Sequence, residues 1–252
     1  MNLQLLRNAT QILQVNGKNI LIDPMLAPKH FYPPFERTGT ETRNPTVDLP
    51  IDAEELELLI AKTDAVLLTH LHLDHWDDLA KELLPKDITL FCQPADVEAI
   101  RQAGFINVQV IEESLIWNEI GISRTGGQHG VGEIGEMMGI VSGYVIRHEQ
   151  ETLYIAGDTI WCEEVKAALD QYQPDRIVLN GGAARFVAGE PIVMDTQDIF
   201  KVAAEMPASK IYVVHLEAVS HVSESRAFIK AALAEHSLSE RCFVPEDGAF
   251  LF

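Results

Sequence analysis

The chain has 252 residues, 47% of them apolar, with 19 basic against 38 acidic side chains and a formal charge of −19. This length and apolar content suit one large globular unit, expected to span residues 1–252 as a single domain, while the acidity would repel a phosphate backbone and argues against nucleic acid as a partner. Cys92, Cys162 and Cys242 lack metal-ligand spacing, no basic region precedes a long apolar core at the N-terminus, and no run of about eighteen apolar residues occurs, so a reduced cytoplasm without a membrane span is expected.

Leu3–Leu6 and Gln11–Val15 read as strands, then Asn16-Gly17 as a hairpin turn and Asn19–Ile22 as a third strand. The segment 23–37 carries four prolines and three aromatics and reads as an irregular loop. A helix is predicted over 52–61 with Asp52 as its cap, and the continuous apolar run Ala65–Thr69 reads as a strand buried on both faces. Asp77 and Asp78 open a short helix that Pro85 ends; a strand at 88–91 and a helix at 94–103 follow. Strands are predicted at 140–146, 153–156, 176–179, 211–214 and 249–252, with helices at 163–169, 196–204 and 223–235. The segment Gly130 to Gly139 shows no assignable pattern. Helices interleaved with strands imply a covered sheet, an α/β arrangement.

The stretch Thr69-His-Leu-His-Leu-Asp-His-Trp76 closes the buried run at Ala65 with four metal-ligand side chains, His70, His72, Asp74 and His75, within six residues. In an extended segment, side chains two apart point the same way. His70 and His72 can therefore share one cation while the chain bends to aim Asp74 and His75 at a neighbouring one. Imidazole and carboxylate donors suit zinc, the expected ion, with manganese and iron as alternatives. Four groups do not fill two coordination spheres, so further ligands are sought at later strand ends. Candidates are His129, flanked by glycines in Thr125-Gly-Gly-Gln-His-Gly130, Asp158 in Ile155-Ala-Gly-Asp-Thr159, and His215 at the end of Ile211-Tyr-Val-Val-His215. A carboxylate at a strand end is well suited to bridge two cations. Taken singly, His129 and His215 read as hydrogen-bonded histidines and Gly-Asp as a turn; the series with the first motif gives them a role.

The order HxHxDH, His, Gly-Asp, His resembles the metallo-beta-lactamase superfamily, and the match spans His70 to His215. The resemblance implies a four-layered αββα sandwich of two similar halves with the site along one edge of the sheets. It further implies a first metal on His70, His72 and His129 and a second on Asp74, His75 and His215, with Asp158 bridging. Asp158 stands where many antibiotic-hydrolysing members carry Cys or Ser, which argues against that activity. The stretches Ile20-Leu-Ile-Asp-Pro24 and Tyr212-Val-Val-His-Leu-Glu217 look similar to the branch containing ascorbate-6-phosphate lactonase.

The expected function is a metal-dependent hydrolase in which hydroxide held by two divalent ions attacks a small ester or lactone, with or without a phosphate. The alternatives are a phosphodiesterase or ribonuclease-like hydrolase, which the scattered basic residues disfavour, and a non-catalytic metal-binding protein. Asp74 is expected both to ligate and to orient the nucleophile, and His221 to protonate a leaving group or hold a phosphate. Lys29, Tyr32 and Arg37 in the proline-rich loop are candidates to meet an anionic substrate; that loop reads equally as ordinary surface or as a homo-oligomer contact. Asn180, ahead of Gly181-Gly182, is a candidate for substrate oxygens or simply part of a turn. Cys162, four residues beyond Asp158, reads as buried packing.

Overall fold

The structure, a computed structural model, describes residues 1–252. Strands β1 (Asn2–Arg7), β2 (Thr10–Val15), β3 (Lys18–Ile22), β4 (Ala65–Leu67), β5 (Thr89–Cys92) and β6 (Val108–Val110) lie side by side in chain order. The first three are antiparallel, and β3 to β6 are parallel. Asn16 and Gly17 form the β2–β3 turn with φ of 47° and 69°, the left-handed pair that a tight hairpin requires. Strands β7 (Ser114–Trp117), β8 (Ile120–Thr125), β9 (Gly143–His148), β10 (Glu151–Ile155), β11 (Arg176–Asn180), β12 (Lys210–Val214) and β13 (Cys242–Phe243) form a second sheet, also in chain order. Here β7 to β10 are antiparallel and β10 to β13 parallel. The two halves thus repeat one plan, a meander followed by parallel strands.

Period-two alternation decides the layers. Ile20, Ile22, Ala65 and Leu67 of the first sheet pack against Ile122, Ile146, Leu153, Ile155 and Val178 of the second in one buried cluster. The residues between them face outward. Leu21, Val66 and Leu90 pack with Ala80 of α2 (Asp78–Leu83) and Ile100 of α3 (Val97–Gln102), with α1 (Ala53–Lys62) beside them. On the far side Tyr154, Ile177, Leu179 and Val213 pack under α5 (Glu163–Tyr172), α6 (Thr196–Glu205) and α7 (Arg226–Glu235). The result is an α/β sandwich with helices outside two facing sheets.

Helix starts follow local chemistry. Asp52 accepts from the Glu55 N–H while Glu55 returns a bond to the Asp52 N–H, a complete capping box; Asp77, Asp195 and Ser225 cap α2, α6 and α7. Departures from the sequence reading have local causes. The predicted 249–252 strand forms only a bridge, Gln4 to Phe250, beside β1, and the short parallel edge strand is Cys242–Phe243. The strand expected from 140 begins at Gly143, and Ile140 is 67% exposed. Helix α7 begins at Arg226 rather than 223 because Ser225 takes the cap. The segment without a pattern contains α4 (Gly132–Met138), whose two glycines mask its helical signal. No helix is long and apolar enough to cross a membrane.

Candidate metal centre

Most of the strands that serve the site have a parallel neighbour, β8 being antiparallel on both sides, and each delivers its chemistry from its C-terminal end, where the chain leaves the sheet and side chains are free to converge. Asp23 follows β3, the HxHxDH turn follows β4, His129 follows β8, Asp158 follows β10, Asn180 ends β11 and His215 follows β12. Gly157 lets the two halves meet. Its φ is +69°, and a Cβ there would lie 2.8 Å from the Ser142 carbonyl oxygen and 3.3 Å from the Thr69 side chain, so a side chain before Asp158 would push the turns apart. His215 itself has φ of 66°, an unfavourable conformation that its surroundings hold in place; its N–H donates to the Asn8 carbonyl at 3.0 Å.

The seven ligand candidates fall into two compact sets, His70, His72 and His129, and Asp74, His75, Asp158 and His215, each with donor atoms within 4.8 Å of one another. In the first, His72 Nδ1 approaches His70 Nε2 at 2.9 Å and His129 Nε2 at 3.3 Å. In the second, His75 Nε2 lies 3.2 Å from Asp158 Oδ2 and 3.7 Å from Asp74 Oδ2, and His215 Nε2 lies 3.0 Å from Asp74 Oδ2. Donors bound at about 2.1 Å around a tetrahedral cation stand about 3.4 Å apart, so both sets fit a divalent ion. Asp158 Oδ2 also lies 3.5 Å from His129 Nε2, which places one carboxylate between the sets.

At three of the histidines the opposite ring atom is occupied, which fixes the nitrogen that faces the site, whereas His215 Nδ1 has no partner. His70 Nδ1 meets Thr69 Oγ1 at 3.0 Å, His129 Nδ1 donates to the Ile192 carbonyl at 2.7 Å, and His75 Nδ1 lies 2.8 Å from Asp23 Oδ2. Asp23 also accepts the Thr69 N–H at 2.8 Å and the Thr69 hydroxyl at 2.7 Å. The sequence reading noticed the Ile20–Pro24 strand end but gave Asp23 no role. A buried Asp at a strand end one register away from the motif was the available signal. Asn8, also unassigned, donates from Nδ2 to the Asp74 carbonyl at 3.1 Å.

Charge is arranged asymmetrically. Burial, and then the neighbouring His75, holds His70 well below the ordinary imidazole range; burial pushes His129 down to about 4 and lowers His72. At His75 and His215 burial acts the same way, but the carboxylates outweigh it, Asp158 most, and both imidazoles are raised. Against the burial that alone would raise them, nearby imidazoles hold Asp74 and Asp158 below the usual carboxylate range. Buried carboxylates there require positive charge, supplied by protons or by a cation.

A pH dependence of metal loading follows. His75 and His215, with raised pKa, must release protons to ligate, so cation affinity at the Asp74–His75–His215 set should fall about tenfold per proton released for each pH unit of acidification. His129, at about 4, and His70 and His72, whose pKa values are also lowered, have less proton to release on ligation. Metal content measured after equilibration at about pH 7.5 and about pH 5.5 should therefore show the carboxylate-rich set emptying first, and equal retention at both would contradict it.

The other sequence candidates are placed unequally. A cavity of about 540 Å³ opens over the two sets, and Arg37 and His221 line it with Phe35, Leu73, Met138 and Ile192. The His221 pKa is lowered by burial, and its Nδ1 has no protein partner. Tyr32 is not at the cavity; it is 8% exposed and its hydroxyl accepts the Asp78 N–H at 3.0 Å, fastening the proline-rich loop to α2. Lys29 is exposed and tied through its backbone to Asp48. Asn180 is held at the donor set instead; its Nδ2 donates to Asp158 Oδ1 at 2.6 Å, which orients that carboxylate. Cys162 is buried, 3.6 Å from Thr159 Oγ1, and burial raises its thiol pKa.

Comparison with known proteins identifies the family. The pattern of the Beta-lactamase superfamily domain matches residues 18–216. The chain is 40% identical over 252 residues to the UPF0173 protein YddR of Bacillus subtilis (strain 168), covering 98% of each. Among solved structures it is similar to an isothiocyanate hydrolase from Delia radicum gut bacteria, with 35% identity, a TM-score of 0.94, and coverage of 100% of this chain and 99% of that one. A "possible metal-dependent hydrolase" from Veillonella parvula DSM 2008 is similar at 36% identity with a TM-score of 0.95, covering 100% of this chain and 98% of that one. The chain therefore belongs to the beta-lactamase superfamily, within its UPF0173 group, and is a metal-dependent hydrolase of the metallo-beta-lactamase fold.

Proposed function

We propose that the protein hydrolyses a small, mainly apolar molecule at an electrophilic carbon, either an ester or lactone carbonyl or the central carbon of an isothiocyanate, with two divalent cations held by the seven ligands. The observation that carries this reading is Asp158 lying between two buried donor sets at the foot of a cavity with a largely apolar wall. Zinc is the ion best suited to these donors, with manganese and iron as alternatives. Bound there, the cations supply Lewis-acid polarisation of the substrate and a nucleophile from water at neutral pH. In an ester or lactone, the acyl C–O bond breaks and the leaving oxygen takes a proton. In an isothiocyanate, water adds at carbon, the C–N bond breaks, and the nitrogen leaves as an amine with carbonyl sulfide as the second product. The solved isothiocyanate hydrolase supports including that carbon among the targets, and the likeness of Ile20–Pro24 and Tyr212–Glu217 to the lactonase branch supports carbonyl chemistry.

The chain's own residues have distinct tasks. Asp74 lines the cavity with its Oδ2 turned to His215, so it both completes the second donor set and orients the attacking oxygen. His221, whose pKa burial lowers, lines the cavity and is the side chain assigned to hydrogen-bond the oxygen or nitrogen on which charge develops. Arg37 is the one Lys or Arg side chain on the wall, and Glu36 stands beside it. That favours an uncharged substrate over a phosphorylated one or a phosphodiester.

Replacing His221 by Ala or Gln should lower kcat by about 10²-fold or more while leaving metal content unchanged, and loss of metal in these variants would assign His221 to the ligand set instead. The reaction class is tested by kcat/KM for a simple ester, a γ-lactone, an alkyl isothiocyanate and a phosphodiester on protein reconstituted in parallel with zinc and manganese. One of the carbon electrophiles should be turned over at least about tenfold faster than the diester, and His70→Ala should abolish that activity. Faster diester cleavage would overturn the assignment.

A further inference from the structure

Beside the main cavity lies a second pocket of about 260 Å³ lined by Ile134, Met137, Phe186, Val187, Ala188 and Arg37. Arg37, Met137 and Phe186 belong to both walls, so the two adjoin along these side chains, and the side pocket includes none of the metal-ligand candidates. Apart from Arg37 the side pocket is apolar, and part of its rim is apolar yet exposed: Met137 at 49% and Val187 at 74%. Exposed apolar surface gathered at a pocket marks a binding surface rather than a core face.

The pocket is built by close backbone approach. A Cβ on Gly189 would meet Ile134 Cδ1 at 2.2 Å, and one on Gly39 would meet Val187 Cγ2 at 2.7 Å, so two glycines let the backbone pack directly onto the side chains that form the wall. The Val187 N–H donates to the Arg37 carbonyl at 2.9 Å, joining the segments on either side. The Arg37 guanidinium meets Met137 Sδ at 3.5 Å, at the junction of the two pockets. Nothing in the hydrolytic chemistry at Asp158 requires this second volume.

We propose that the side pocket is a subsite for an apolar tail, so that the substrates are molecules whose electrophilic carbon carries an alkyl or aryl substituent reaching past Arg37 to Ala188. This rests on the reading of the metal centre above and adds the substrate class. A tail in the pocket removes from water both its own surface and the exposed rim of Met137 and Val187, and each methylene that enters gains about fourfold in affinity.

The test is direct binding, independent of turnover. Straight-chain alkyl hydroxamates, from acetohydroxamate upward, combine a metal-binding head for the centre with a tail of chosen length that can reach the side pocket. Their Kd on zinc-reconstituted protein is measured by calorimetry. Affinity is expected to rise by about fourfold per methylene until the side pocket is filled and then to level off. Ala188→Phe, at an exposed position where the fold is not at risk, should remove this rise while leaving acetohydroxamate binding unchanged. Length-independent binding in the parent protein, or a length dependence that survives Ala188→Phe, overturns the subsite but leaves the metal centre standing. Absence of binding by every hydroxamate would overturn the metal centre itself and the subsite with it.

Discussion

Asp158→Ala is expected to lower the metal content of the purified protein below two ions per chain and to reduce kcat/KM by more than about 100-fold. Asp158 is 3% exposed and its Oδ2 stands 3.2 Å from His75 Nε2 and 3.5 Å from His129 Nε2, so no other side chain serves both donor sets at once. Each set keeps three ligands without it, and one cation is retained more weakly than the other. The charge also matters apart from the shape. Asp158→Asn keeps the volume and can still hydrogen-bond Asn180, but it removes the negative charge that most strongly raises His75 and His215. The Asn variant should fold with a thermal midpoint close to the parent's and still lose metal, as read by mass spectrometry of metal content alongside a thermal melt. Full two-ion occupancy in both variants would remove Asp158 from the centre.

Asp23→Ala has the largest expected effect on stability. Its carboxylate accepts the Thr69 N–H, the Thr69 hydroxyl and the His75 ring N–H in a site that is 1% exposed. Removing it strands three buried donors, and the expected loss is about 3–5 kcal/mol, a fall in Tm of about 10 °C or more for a chain of this size. Because the same carboxylate fixes the His75 ring, metal affinity should fall by about 10–100-fold in the population that remains folded. Asp23→Asn separates the two effects. It can still accept from Thr69, so most of the stability should return while His75 remains poorly oriented. Equal metal affinity in the Asn variant and the parent would show that His75 needs no carboxylate behind it.

The comparison of sequence with structure divides along a physical line. The seven side chains gathered into the two donor sets were legible because a metal site needs particular donor atoms, and those types stand at the ends of strands that read clearly as buried runs, such as Ala65–Leu67 and Lys210–Val214. The layering of the two sheets came from the family resemblance, because Ile20, Leu21 and Ile22 are all apolar and only the structure shows that Leu21 faces the helices while its neighbours face the other sheet. What supports the ligands was not legible. Asp23 and Asn8 are 52 and 66 residues from the groups they orient, and nothing in local spacing reports that separation. Tyr32 and Asn180 were seen as polar groups near the site, but which side of the ligands they occupy depends on three-dimensional packing. Helix α4 was invisible because its glycines lower helix propensity, yet its last two residues, Met137 and Met138, line the cavity.

The most direct test is a metal titration of the apo protein in which bound ions per chain and hydrolysis of the best carbon electrophile are followed together. Two ions should bind per chain, with turnover rising as the second site fills. Saturation at one ion with full activity, or full activity in metal-free protein, would contradict a hydrolytic centre built from two cations across Asp158.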